Sequence, residues 1–401
     1  MSVIDQSEFY HFVLFQHGFW GASSDFNGLL IHLFQENEKC YNKDYKEGEG
    51  GESSASDFPF EATDNNNNKY GGRLLSRGNL TSFAPDSNKF LGTRQSTCSC
   101  ACKSLEEFLP VFSDWIDKVK KKKENCRLCF SCVGHSFGGI IMRELLYLLL
   151  VTEDINDCGK DLFNSVKMVR EKFIQFNITL ENFITIATPH CGVDECMISP
   201  MYYGARILGR LCAASVEELL LKDNDEVLTV RLINSGHLAS LRLFRRRTLF
   251  ANTQKDIMVG FATSSLLFSD TIRDRVRIVG TDPKDLPCAA EFADDHSCYS
   301  AVIHLPRLEK EVTTATPSHT LNDLYQYKNN TMIQEDVDPS LKRLSRSIAA
   351  ALRRYLDWDV IALRYTNPLP LAHVSCLGMV PQYASAPEIV QRVAQEIIKV
   401  Y

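Results

Sequence analysis

Residues 130–140 read FSCVGHSFGGI: an apolar run, then Ser136 held between Gly134 and Gly138, with Gly139 behind it. A serine hydroxyl becomes a nucleophile only when it stands clear of the backbone and a nearby base takes its proton. The G-x-S-x-G spacing meets the first need where an extended strand turns sharply into a helix. Side chains two before and two after the serine would collide inside so tight a turn, so glycine is needed at both places. The flanks agree with that reading. RLCFSCV (127–133) is strand-like, and GGIIMRELLYLLLV (138–151) is apolar almost all round, as a helix buried against a sheet must be. The same turn leaves the N–H of Phe137 at a helix start, where free donors and the helix dipole favour negative charge.

Working outward, strand-like runs alternate with helical ones. FVLFQ (12–16) ends in HGFWG, and DFNGLLIHLF (25–34) follows with a helix-length apolar stretch. SLEEFLPVFSDWIDKV (104–119) carries apolar residues at helical spacing. FITIA (183–187), RRTLFAN (246–252), RVRIVG (275–280) and WDVIALRY (358–365) read as further strands, the middle two leading to Asp256 and Asp282. Asp338 and Pro339 look like an N-cap and first helical residue, with Leu341, Leu344, Ile348, Leu352 and Tyr355 on one face. A last helix from about Pro387 buries Ile389, Val393 and Ile397. Strands alternating with helices predict an α/β fold with a mostly parallel central sheet and helices on both faces. Residues 36–86, rich in glycine, asparagine and charge, predict a largely disordered polar insertion within one domain spanning 1–401.

Composition excludes some function classes. The 401 residues are 44% apolar and 23% charged, ordinary for a globular chain, and the net charge of −6 argues against nucleic acid as a partner. The opening residues carry acids and lack a signal-like apolar core, so no secretion is expected. LLYLLLV (145–151) is too short to cross a bilayer. Fourteen cysteines then read as free thiols in a reducing, cytoplasmic setting.

Chain order supplies the partners of Ser136. An α/β nucleophile turn is followed by an acid, then a histidine, and is faced by an oxyanion donor from a loop after an earlier strand. HGFWG supplies that loop, with the N–H of Phe19 as the second donor beside that of Phe137. His373, after the last strand, is the base, because the other histidines lie inside motifs or precede that strand. Position alone leaves Asp256 and Asp282 both open as the acid.

At this point the chain resembles the eukaryotic putative serine esterase family, lipase-like α/β-hydrolases. HGFWG with Asp25 is similar to its oxyanion stretch, SNKFLGT (87–93) to its short N-to-T segment, VGHSFGG to its nucleophile turn and ITIATPHCGV to its T-P-H-x-G strand end. LFRRRTLFANTQKDIMV resembles the segment that carries the family's acid, which favours Asp256 and leaves Asp282 as the alternative. WDVIALRY with LAH resembles the closing strand and histidine. The resemblance implies hydrolysis of lipid esters such as acylglycerols, no cofactor, and residues 191–245 as the natural place for a lid or acyl-chain pocket. The stretch 267–338, an insertion between acid and histidine, has no counterpart. A catalytically silent hydrolase fold used for binding, and an acyltransferase or thioesterase using the same residues, are the rival readings.

Two constellations stand apart. Cys98, Cys100 and Cys102, with Cys126, Cys129 and Cys132, invite a metal reading, but Cys129 on a strand would face away from Cys126 and Cys132, so buried free thiols and no metal are expected. The basic runs at Lys118, Lys120–Lys123 and Arg245–Arg247 read as solvated charge, with peripheral contact to an anionic membrane surface as the sharper alternative.

Overall fold

The computed structural model describes residues 8–41, 71–193, 213–268, 290–292, 299–308, 318–324, 344–365, 369–380 and 386–400. In chain order these give β1 (Phe9–Gln16), α1 (Asn27–Tyr41), β2 (Arg73–Arg77), β3 (Leu80–Ala84), α2 (Thr97–Lys122), β4 (Arg127–His135), α3 (Phe137–Leu150), α4 (Lys160–Gln175) and β5 (Thr179–Ile186). There follow α5 (Ala214–Leu219), α6 (Ser235–Arg242), β6 (Arg246–Asn252), α7 (Phe261–Ser265), β7 (Ala290–Phe292), β8 (Tyr299–Leu305), α8 (Leu344–Tyr355), β9 (Trp358–Leu363), α9 (Ala372–Ser375) and α10 (Ala386–Ile398).

The strands form a sheet in the order β2-β3-β1-β4-β5-β6-β9-β8-β7. From β3 to β9 every pairing is parallel, and antiparallel pairs close the two edges. Parallel strands need both faces covered, because crossover helices return over them. Alternation along β1 shows how the sequence meets that need. Phe12 and Leu14 enter one apolar cluster, with α2, α3 and α4, while Val13 and Phe15 enter the other, with α1 and α10. On the first face Phe12 meets Phe112 edge-on with centroids 5.0 Å apart, and Phe130 packs against Phe112 at 5.2 Å. The register pairs Gln16 of β1 with Gly134 of β4, so the two strands end side by side. That sets the loop after β1 next to the turn after β4, the α/β-hydrolase arrangement.

Two expectations are corrected by position. Part of the stretch read as a disordered polar insertion is structured: residues 36–41 complete α1, while β2 and β3 belong to the sheet, with all five residues of β3 buried. Their apolar residues are few and lie within a polar composition, so no period announced them. Residues 42–70 of that stretch lie outside the described residues. Helix α2 begins at Thr97, seven residues before the expected apolar run at 104, because Ser96 caps it by accepting from the Ser99 N–H at 3.3 Å. Of 191–245, residues 194–212 lie outside the described residues, as do Asp282 and most of 267–338.

The core carries a pH-sensitive group. His11 in β1 is buried with Nε2 2.8 Å from the Ser131 hydroxyl, and burial, aided by the Arg127 charge, holds its pKa down to about 3. A histidine free in the unfolded chain titrates near 6.5. Below that pH the unfolded state takes up a proton that the native state refuses, so this contribution to stability is full above about pH 6.5 and is lost as pH falls toward 3. Urea unfolding of wild type should therefore lose about 1 kcal/mol more between pH 6.5 and 5.5 than that of His11→Gln; equal losses would contradict the burial argument.

Candidate active site

Ser136 sits between β4 and α3 with φ 54° and ψ −131°, a conformation that costs a non-glycine residue energy. The surrounding backbone enforces it. The Ser136 N–H donates to the Ile186 carbonyl at 2.8 Å, tying the turn to the end of β5. A Cβ on Gly134 would lie 2.5 Å from the Gly139 Cα, and one on Gly138 would lie 2.1 Å from the Gln16 carbonyl oxygen. The two glycines thus let the strand and helix close on each other and let the end of β1 press against the turn. A Cβ on Gly18 would likewise lie 2.6 Å from the Ser136 Cβ, so the backbone after β1 runs directly against the serine.

His373, in α9, lies with Nε2 2.9 Å from Ser136 Oγ and Nδ1 3.0 Å from Asp256 Oδ2. A carboxylate only accepts, so Nδ1 carries the hydrogen and Nε2 is left to accept the serine proton. Ser136, His373 and Asp256 are all buried. Asp256 follows β6 in a turn that fills its lone pairs: the N–H groups of Met258 and Val259 donate to Oδ1 at 3.0 and 2.9 Å, and Asn252 Nδ2 donates to Oδ2 at 2.7 Å. Burial pushes the Asp256 carboxyl pKa up, but the His373 imidazole and these hydrogen bonds outweigh it and hold the pKa below the ordinary value. A bridge between Asp256 and Leu371 and the bond from the Ala372 N–H to the Lys255 carbonyl, at 3.3 Å, fasten the acid loop to the histidine loop.

Two side chains that sequence reasoning gave no role complete this frame. Asn252, the last residue of β6, orients the acid and in turn accepts from the Tyr365 hydroxyl at 3.1 Å. His135, set aside because it lies inside the serine motif, donates from Nε2 to the His373 carbonyl at 2.9 Å. Burial first, and then the charge on His373, push its pKa to about 3, so it stays neutral beside the base. Nothing local in the sequence marks the Tyr365 and His373 contacts, since these partners lie 113 and 238 positions away.

On the other side of Ser136 the rings of Phe19 and Phe137 lie 5.1 Å apart. Phe137 opens α3, so its N–H has no intrahelical acceptor. SNKFLGT explains itself here. Thr93 Oγ1 accepts from the Trp20 N–H at 3.2 Å, while Asn88 Nδ2 donates to Ser104 Oγ, which donates to Gln16 Oε1 at 2.7 Å. This buried chain braces the loop 17–21. His190 is buried and pairs with the Thr185 hydroxyl at 2.8 Å, and Thr188 packs on Gly139, so the T-P-H turn supports the floor. Among the described residues no group of three or more His, Cys, Asp or Glu is arranged to hold a metal ion, and no helix is long and apolar enough to cross a membrane.

Residues 110–266 match the family described as Putative serine esterase (DUF676), a stretch containing both Ser136 and Asp256. The putative lipase YDL109C of Saccharomyces cerevisiae is 30% identical over 145 residues, 35% of this chain and 19% of its own length. The putative lipase YDR444W of the same yeast is 27% identical over 211 residues, 48% of this chain and 28% of its own. The matched part therefore spans less than a third of either relative. Among solved structures, phospholipase PlaB from Legionella pneumophila, in complex with thio-NAD, is 15% identical with a TM-score of 0.31, covering 61% of this chain and 38% of that one. An α/β hydrolase superfamily protein from Enterococcus faecalis is 11% identical with a TM-score of 0.28, covering 66% and 78%. At such scores the two structures add nothing to the topology already described.

Asn252→Leu removes the donor to Asp256 and the acceptor of Tyr365, and should cost about 1–3 kcal/mol of stability in urea unfolding at pH 7. Because a depressed carboxyl pKa contributes stability above the unfolded value that is lost as pH falls through the folded one, the variant's acid unfolding should also begin at higher pH. An unchanged acid limb would show that Asn252 does not hold the carboxylate.

Proposed function

We propose that the protein is a serine hydrolase that cleaves carboxylic esters through an acyl-enzyme. His373 takes the proton from Ser136 Oγ as it attacks the ester carbonyl. Asp256 orients the imidazole and stabilises its charged form. The N–H groups of Phe137 and Phe19 hold the oxyanion, and water, activated by the same imidazole, releases the acid. The observation that carries this reading is the unbroken hydrogen-bonded series from Ser136 through His373 to Asp256, buried and braced from both flanks. The family match supports the same reaction class.

Ser136→Ala and His373→Ala should each lower kcat for a chromogenic ester by about 10⁶, and Asp256→Asn by about 10⁴, with KM little changed. Retention of activity in Ser136→Ala would refute the proposal.

We infer further that the ester belongs to a lipid. Trp20, Phe90 and Leu91 stand exposed on the oxyanion side, and Ile257, Met258, Leu369, Leu371 and Met379 on the loops bearing the acid and the base. These are eight of the fourteen exposed large apolar side chains among the described residues, so exposure is concentrated on the loops around the serine rather than scattered. An apolar rim of this kind suits acyl chains delivered from a lipid aggregate. Trp20→Ala combined with Phe90→Ala should raise the apparent KM for a dispersed acylglycerol at least several-fold while leaving that for a short soluble ester unchanged. Equal effects on both substrates would remove the lipid reading and leave the hydrolase intact.

A further inference from the structure

Trp20 and Phe90 stand on two different loops beside Ser136 and share two unusual properties. Each side chain is more than half exposed, as are Leu91 and Leu369. Each also holds φ at 51°, a left-handed conformation that bulky residues rarely adopt and that persists only where neighbours impose it. The two loops impose it on each other: the Trp20 N–H donates to Thr93 Oγ1 at 3.2 Å, and the Phe90 N–H donates to the Gly21 carbonyl at 3.0 Å. Two aromatic rings are thus held out in water by strained, cross-tied backbone. Across the serine, the bridge between Asp256 and Leu371 ties the loop of Ile257 and Met258 to that of Leu369 and Leu371. All these loops follow the ends of the parallel strands β1, β3, β6 and β9, so the apolar tips crown one end of the sheet.

The charge that accompanies the tips is basic. Among the described residues of these loops the charged side chain most open to solvent is Lys89, beside Phe90, and Arg94 and Lys255 are half-buried. The acids are turned inward. Asp25 accepts from the Ala22 N–H at 3.0 Å, Asp86 accepts from the Ser23 N–H at 2.9 Å, and Asp256 is buried against His373. Glu107 of α2, behind them, accepts from the Asp86 N–H at 2.8 Å. In a chain of net charge −6, this end departs from the average surface.

We propose that this end of the sheet docks on an anionic lipid bilayer, with the apolar tips entering the headgroup region and the basic residues lying against lipid phosphates. The inference rests on the lipid reading above and goes beyond it in assigning the surface, its charge and the orientation. The basic runs of the sequence lie elsewhere. Lys118 and Lys120–Lys123 close α2 before β4, and Arg245–Arg247 lead into β6, so both sit at the far end of strands about 20–30 Å long. Arg245, Arg246 and Arg247 are moreover paired with Glu181, Asp359 and Asp357. Docking through those runs would turn Ser136 away from the lipid. Docking through the tips brings the lipid to it.

The three tryptophans make the test specific, because Trp115 and Trp358 are buried and only Trp20 can sense a surface. The full-length protein is mixed with vesicles of dialkyl-ether lipids, which carry no ester to cleave: phosphatidylcholine alone, or with an equal part of phosphatidylglycerol. Each basic residue near an anionic surface strengthens binding about fivefold, so sedimentation should show about tenfold or more tighter binding to the anionic vesicles, released by high salt. Tryptophan emission should move to shorter wavelength on binding, and Trp20→Phe should remove that shift. Lys89→Glu with Arg94→Glu should weaken binding about tenfold or more, while Lys121→Glu with Lys122→Glu should not. Failure to sediment, equal affinity for both vesicles, or binding with unshifted emission overturns the proposal in the wild type alone. Binding that depends on Lys121 and Lys122 instead overturns it as well. Hydrolysis of a short soluble ester by the same preparation judges the hydrolase reading, and the acylglycerol comparison judges the lipid reading, so each can fail without the others.

Discussion

The structure depends on a close approach of backbones. Gly134 lies against Gly139, Gly138 lies against the carbonyls of Gln16 and His17, and Gly18 lies against Ser136 itself. No side chain fits in any of these gaps, and removing the gaps would push apart the ends of β1 and β4 and the start of α3. Everything chemical in the molecule follows from their being closed. The positive φ of Ser136 marks the strained turn that opens α3, where the Phe137 N–H has no intrahelical acceptor, and the ring of Phe19 lies 5.1 Å from that of Phe137.

A strained turn persists only where its surroundings over-determine it. Here the turn is held by the bond from Ser136 to Ile186 and by the buried helix behind it, while the parallel sheet fixes the neighbouring strand ends to one level. Strands β6 and β9 bring Asp256 and His373 to that same level from far along the chain. The frame around them is polar and closed, with Asn252 and Tyr365 behind the acid and His135 beneath the base. The energetic cost of burying a carboxylate is offset by four donors, which is why it stays ionised in a site with little water.

How much of this was legible in the sequence follows from how local each cause is. The serine turn could be read because its steric demand falls on residues two away on either side. The strand at 12–16 could be read because an unbroken apolar run suits a strand buried on both faces, and that at 246–252 because its apolar centre, Leu249 to Ala251, leads into a polar turn. Chain order placed an acid between Ser136 and His373 but left Asp256 and Asp282 both open until the family resemblance favoured Asp256, and the structure brings the side chains of Ser136, Asp256 and His373 together. The strands β2 and β3 were hidden because five-residue strands set in a polar composition carry little periodic signal. Strand β8 was missed for a related reason: it lies at the antiparallel margin, inside a stretch with no recognisable counterpart. His135 was invisible as a functional residue because its partner lies 238 positions away, and Asn252 because neither its bond to Asp256 four positions on nor its bond to Tyr365 113 positions on belongs to a spacing that marks a site.

The central claim is that the hydroxyl of Ser136 is a nucleophile activated by His373. The most direct measurement is covalent capture with a fluorophosphonate, followed by mass mapping of the adduct. A single phosphonyl group on Ser136, formed rapidly in the wild type and lost in His373→Ala, is the result the account predicts. An unlabelled protein, or one whose label lies on another residue, would contradict it.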